Sequence, residues 1–228
     1  MGIRVTPMGI VRTRVYCDPL LLEEWSPILI YGEAAAGKTL AALATAAWYS
    51  RLKGGRIYLL TTEPQSTLPL ASRLLPPDAF IYTAYNLEDL ADELLEVTRI
   101  ASPGDIIVVD TLTSPYRLEV GEDAQLANRL LSFAAALLTR ASELGIPSIA
   151  VSQVHADPDS ERLEPPGYNL IRDYFPLRVH LVKVNPGRRV GLDEDNNVIF
   201  ELIVGSEGVV EIRCTQRYSS SSSISRPS

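Results

Sequence analysis

One run limits what this chain can fold into more than any other: Gly32-Glu33-Ala34-Ala35-Ala36-Gly37-Lys38-Thr39. It satisfies G-x-x-x-x-G-K-S/T, follows directly on the apolar stretch PILIYG and opens an apolar segment of helical length. Such a pattern arises by chance in about one chain in a hundred of this size, before a strand–loop–helix setting is required. Phosphate binding needs these residue types. The glycines let successive backbone N–H groups turn inward, the following helix presents its positive end, Lys38 adds a point charge and Thr39 offers a hydroxyl to Mg²⁺. Residues Gly32 to Thr39, continuing into Leu40, are therefore expected to hold nucleotide phosphates, with Lys38 also acting on them during catalysis.

A loop of this kind belongs between a buried parallel strand and a helix, and the rest of the chain alternates in the same way. Short runs rich in Ile, Val and Tyr at 28–31, 56–62, 79–83, 106–110 and 146–152 read as strands, and amphipathic segments at 38–52, 87–101 and 123–144 read as helices. In the second helix Leu87, Leu90, Ala91, Leu94 and Leu95 fall on one face. Glu88, Asp89, Asp92, Glu93 and Glu96 make the other, a solvated face, with Asn86 as the amino cap. After residue 176 the segments LRVHLVKV, VIFELIV and GVVEIRC, split by Pro-Gly and Asp/Asn clusters, predict antiparallel strands that extend the sheet. The expected fold is α/β, a largely parallel sheet flanked by helices, as one domain over 1–218, with a disordered serine-rich tail at 219–228.

Composition narrows the function classes. Apolar residues make up 46% and are interrupted every few positions, so no run reaches membrane-spanning length. The amino end alternates like a strand, with no apolar stretch and cleavage site behind it, and a cytoplasmic location is expected. A net charge of −7 opposes sequence-independent attraction to a polyanion. Cys17 and Cys214 lie at opposite ends without metal-ligand spacing, which favours two buried free thiols over a metal site.

A phosphate loop also needs a carboxylate for the metal shell and a group to orient or deprotonate water. Parallel sheets place ligand-facing groups at the carboxyl ends of strands. Asp110 ends IIVVD, Glu63 follows RIYLLTT and Gln153 follows SIAVS. Each has an ordinary alternative. Asp110 and Glu63 could be turn residues, and the Gln153 amide could only satisfy backbone groups. The phosphate loop favours the metal role for Asp110 and leaves Glu63 evenly balanced.

These residues resemble the RecA-type recombinases, in particular archaeal RadA and its shorter paralogues, over about residues 25–212. The run IIVVDTLTSPYRLE is similar to the family's metal-binding strand followed by Asp-Ser-Leu-Thr-Ser and an arginine-containing loop. Thr-Thr-Glu ending at Glu63 resembles Asp-Thr-Glu, whose glutamate is the catalytic base. Ser152-Gln153-Val154 resembles Asn-Gln-Val, whose glutamine contacts the γ-phosphate. PPGYNLIRDYFPLRVHLVKV resembles the family's Pro-x-Gly-Gly segment and the strand after it. The resemblance implies a P-loop NTPase with a RecA-type core, ATP and Mg²⁺ as cofactors, and Glu63, Gln153 and Lys38 as catalytic residues. It places Thr39 and Asp110 at the metal.

Departures from the family pattern shape the functional expectation. About 25 residues precede the P-loop strand, where a full recombinase carries a DNA-binding domain and a polymerisation linker. The first DNA loop corresponds to RLEVGEDAQLANR, short and net acidic. The second, HADPDSERLEPPGYN, sets Asp157, Asp159, Glu161 and Glu164 against Arg162 alone. Phosphate binding through loops of this sign is electrostatically opposed. The family's adenine-stacking arginine has no match, so ATP as the nucleotide comes from the resemblance. His155 reads as a hydrogen-bonded loop residue. Arg188 and Arg189 read as a solvated Pro-Gly-Arg-Arg turn, or as arms reaching a phosphate in a neighbouring subunit. The expected function is a slowly hydrolysing RadA paralogue, an accessory factor in homologous recombination and DNA repair. Its expected partners are a full-length RadA-type recombinase and, weakly or indirectly, single-stranded DNA. The alternatives are an adaptor with vestigial hydrolysis and a KaiC-like signalling ATPase.

Overall fold

The computed structural model describes residues 13–15, 22–154, 164–205 and 210–215. The chain runs β1 (Thr13–Val15), α1 (Leu22–Trp25), β2 (Ile28–Gly32), α2 (Lys38–Lys53), β3 (Ile57–Thr61), α3 (Pro64–Leu74), β4 (Phe80–Thr83), α4 (Leu87–Ile100) and β5 (Ile106–Asp110). It continues through α5 (Ser114–Glu119), α6 (Ala124–Glu143), β6 (Ser148–Gln153), α7 (Tyr168–Ile171), β7 (Leu177–Asn185), β8 (Arg188–Leu192), β9 (Val198–Val204) and β10 (Val210–Cys214). All ten strands form one sheet in the order β1-β10-β9-β8-β7-β2-β6-β5-β3-β4. From β7 to β4 the neighbours are parallel. From β7 to β10 they are antiparallel, forming a wing, and β1 lies parallel to β10 at its edge.

The alternation of strand residues sorts the core into two layers. Ile28, Ile30, Leu59, Val108 and Val151 pack with Ala41, Ala42 and Leu43 of α2. Their neighbours Leu29, Leu60, Val109 and Ala150 pack on the other face with Leu90 and Leu94 of α4 and Leu131 and Leu138 of α6. Strands β2, β3 and β5 are apolar on both faces because each face carries a helix, as parallel sheets require. The small alanines of α2 let that helix lie close beneath the strands that carry the phosphate loop. Asn86 caps α4 as expected, its side chain accepting from the Asp89 N–H at 2.7 Å.

The structure departs from the sequence expectation in several places, adding the short helices α1, α5 and α7 and the strand β8 as well as α3. Helix α3 was not anticipated, because Pro64 and Pro69 lie within it. Pro64 sits in the first turn, where a missing N–H costs nothing, and Pro69 is tolerated inside an 11-residue helix on a largely exposed side. The Pro-Gly turn is confined to Pro186 and Gly187, and Arg188 and Arg189 belong to β8. Cys214 is disulfide-bonded, which corrects the expectation of two free thiols. The other cysteine of the sequence, Cys17, lies outside the described residues. Pairing of β1 with β10 brings the two ends of the sequence together in the sheet, a nearness that residue spacing does not reveal. His155, most of the second acidic loop and the serine-rich tail also lie outside the described residues. Among the described residues no helix is long and apolar enough to cross a membrane.

Candidate functional site

The carboxyl ends of β2, β3, β5 and β6 converge on a cavity of about 330 Å³. The loop between β2 and α2 forms its floor, and its path depends on residues that accept unusual backbone angles. Gly32 has φ 155°, and a methyl group there would come within 2.4 Å of the Leu181 carbonyl oxygen. Gly37 has φ 93° and admits the turn into α2. Ala35, at φ 58°, pays a steric cost of about 1 kcal/mol to keep the loop in this shape. Ala34, Ala35 and Gly37 line the cavity with Lys38, Thr39 and Leu40. Gly32, Glu33 and Ala36 build the loop body, with the Glu33 carbonyl accepting the Ala36 N–H at 3.2 Å.

Lys38 is almost fully buried, and its Nζ donates to the Glu33 carbonyl at 2.7 Å, which holds the ammonium across the loop. Burial pulls its pKa below the usual lysine value, opposed by the carboxylates of Asp110, Glu63 and Glu33. Asp110, at the end of β5, is buried and accepts from the Thr39 hydroxyl at 3.0 and 3.1 Å on its two oxygens. Burial raises its pKa above the ordinary carboxylate value. Hydrogen bonds from Thr67 and Thr39 work the other way. The peptide between Asp110 and Thr111 is cis.

Glu63 leaves β3 and stands at the amino end of α3, its N–H donating to Thr61 Oγ1 at 3.1 Å and its side chain half-buried at the cavity wall. Gln153 ends β6 opposite Gly32 in the β2–β6 register and lines the same cavity. Asp110, Glu63, Gln153, Lys38 and Thr39 are thus gathered around one space. Among the described residues no cluster of three or more His, Cys, Asp or Glu could hold a metal alone. Thr39 and Asp110 present hard oxygens of the kind Mg²⁺ takes when it is held jointly by protein, phosphate and water. The donor set and the inward-turning loop fit a nucleotide carrying its metal.

The sequence did not reveal Thr67. This fully buried residue of α3 donates its hydroxyl to Asp110 at 2.5 Å, so the carboxylate is held by two threonines from two helices. Ser66, Leu70, Thr111 and Val151 also join the lining. Ser66 and Leu70 come from the helix hidden by its prolines, and nothing in their local sequence marks them.

No protein-family model matches the chain. The DNA repair and recombination protein RadB of Thermococcus onnurineus (strain NA1) is 30% identical over 200 residues, covering 82% of this chain and 85% of that protein. RadB of Halobacterium salinarum is 29% identical over 174 residues, 70% of this chain and 73% of that one. RadB of Methanosphaera stadtmanae is 23% identical over 192 residues, covering 76% and 81%. The crystal structure of the RadB recombinase is similar in fold, with a TM-score of 0.60 at 24% identity, covering 85% of this chain and 94% of that one. The sheet order, the loop at the end of β2 and this sequence likeness over most of both chains lead to one conclusion: the chain belongs to the RadB family of archaeal DNA repair and recombination proteins, RadA paralogues with a RecA-type core.

Proposed function

We propose that this RadA paralogue binds ATP with Mg²⁺ in the cavity at the end of β2, hydrolyses it slowly, and acts in the cytoplasm as an accessory factor in homologous recombination and DNA repair. The observation that carries the reading is the joint placement of Lys38, Thr39, Asp110, Glu63 and Gln153 around one cavity of about 330 Å³. Magnesium would neutralise phosphate charge there. The protein's part is positional and electrostatic. Gly32 to Leu40 hold the phosphates, with Lys38 leaving or sharing the Glu33 carbonyl to meet them. Thr39 and Asp110 would hold the metal, and Thr67 keeps the carboxylate in place. Glu63 takes the proton of the attacking water, and Gln153 reads the terminal phosphate.

Family membership favours the recombination branch over a signalling ATPase. The acidic character of residues 157–164 speaks for work beside a full-length RadA-type recombinase rather than tight autonomous binding of single-stranded DNA. ATPase rate and DNA affinity are to be measured for the chain, the recombinase and their mixture. The expected outcome is a slow rate alone, weak DNA binding with a shallow salt slope, and a rate or DNA affinity in the mixture that differs from the sum. Additive behaviour without physical association would remove the accessory role.

A further inference from the structure

Arg189, read from the sequence as part of a solvated turn or as an arm toward a neighbouring subunit's phosphate, lies on a strand. It lies on β8, opposite Leu202 of β9 and Lys183 of β7 in the register. Leu202 packs in the α2 layer, so these facing side chains share the side of the sheet on which the phosphate loop runs into α2. A methyl group built on Gly37 would lie 3.4 Å from Arg189 Nε, 3.6 Å from its Cδ and 3.5 Å from a Leu202 methyl. The guanidinium is tied back by a hydrogen bond from Nη1 to the Pro186 carbonyl. Its Nε is buried, and it is the one buried side-chain polar atom among the described residues without a hydrogen-bond partner. Arg188 differs: it pairs with Glu201 on the exposed side.

A buried N–H without an acceptor costs free energy, and such an atom in a native structure calls for a compensating role. Arg189 reaches Gly37 from outside the cavity, whose wall at this point is Ala34, Ala35 and Gly37 itself. We infer that Arg189 is a positioning residue of the nucleotide site in its own chain: lying beside Gly37, it supports the loop and places a second positive charge behind it, complementing Lys38 in holding a polyphosphate. The antiparallel wing then takes part in nucleotide binding, and it meets the loop at Gly37, the residue whose φ of 93° favours glycine.

This inference rests on the ATP reading, and the experiment separates the two. A fluorescent ATP analogue is titrated into the full chain and into Arg189→Met, Arg189→Lys and Arg188→Met, with AMP competition and nucleotide-free thermal unfolding measured for each. The parent binds the analogue. Arg189→Met weakens that binding about tenfold, the scale of one charge-assisted contact, while AMP affinity and the unfolding temperature hold. Arg189→Lys recovers part of the loss, and Arg188→Met behaves as the parent. A parent that binds no analogue overturns the ATP reading and this inference with it. With a binding parent, Arg189→Met at parental affinity overturns the inference alone. So does an equal loss for AMP, a loss matched by a fall in unfolding temperature, or Arg189→Lys as weak as Arg189→Met.

Discussion

Single residues decide whether the phosphate loop works, and their roles separate by substitution. Lys38→Ala removes the loop's own charge and leaves its backbone in place. Analogue binding should fall at least tenfold while the circular dichroism spectrum is retained, on the scale of charge-assisted contacts to phosphate. Glu63→Gln keeps size and hydrogen bonding and removes the carboxylate proposed as base, so turnover should drop at unchanged ATP·Mg²⁺ affinity. Equal turnover would place the base elsewhere. Thr67→Val is nearly isosteric and removes one of the two hydroxyls that hold Asp110. Groups that hold a metal ligand from behind cost about tenfold or more in metal affinity when lost. The magnesium concentration for half-maximal turnover should therefore rise by about that factor. An unchanged requirement would show that Thr39 alone positions the carboxylate.

At the scale of elements, legibility in the sequence followed locality. The phosphate loop declares itself in eight consecutive residues, and Asp110, Glu63 and Gln153 could be found because strand ends in a parallel sheet face one crevice. Thr67 stayed hidden because Pro64 and Pro69 make a poor local signal for the helix α3 that carries it. The nearness of Arg189 to Gly37 stayed hidden because it depends on β8 folding back along β7, the strand that lies beside β2. Arg178 shows the same non-local logic. From β7 it donates to the backbone carbonyls of Arg172 and Phe175 at 2.7 Å each and to Glu194 at 2.6 Å, holding the segment that includes α7 against the sheet. Arg178→Met should destabilise the protein by about 1–2 kcal/mol, since two carbonyls lose a charged donor, without changing nucleotide affinity. The hydrogen bond from Arg178 holds the Glu194 pKa below its ordinary value. The unfolded chain therefore binds the proton first as pH falls, and the contribution of Glu194, full above the ordinary glutamate pKa, is lost as pH drops through the lowered one. Because Glu194 is half exposed, that part is small. Urea unfolding of parent and Glu194→Gln at neutral and acid pH should converge at the acid end.

For the whole molecule, the sheet order makes one seam stand out. The wing joins the parallel strands along β2 and β7, in a register that runs from Ile28 opposite Leu177 to Tyr31 opposite His180. Gly32, the next residue of β2, packs against Leu181 of β7 and begins the phosphate loop. Backbone amides of β2, β5 and β6, covered on both faces, should exchange their hydrogens only through the largest openings. Those of the outer wing should exchange through smaller, more frequent ones. A nucleotide that gathers the loop also stiffens the end of the seam. The slowing of exchange it causes should then spread outward into β7 and β8, and leave β4, at the opposite edge, with the clock it had before.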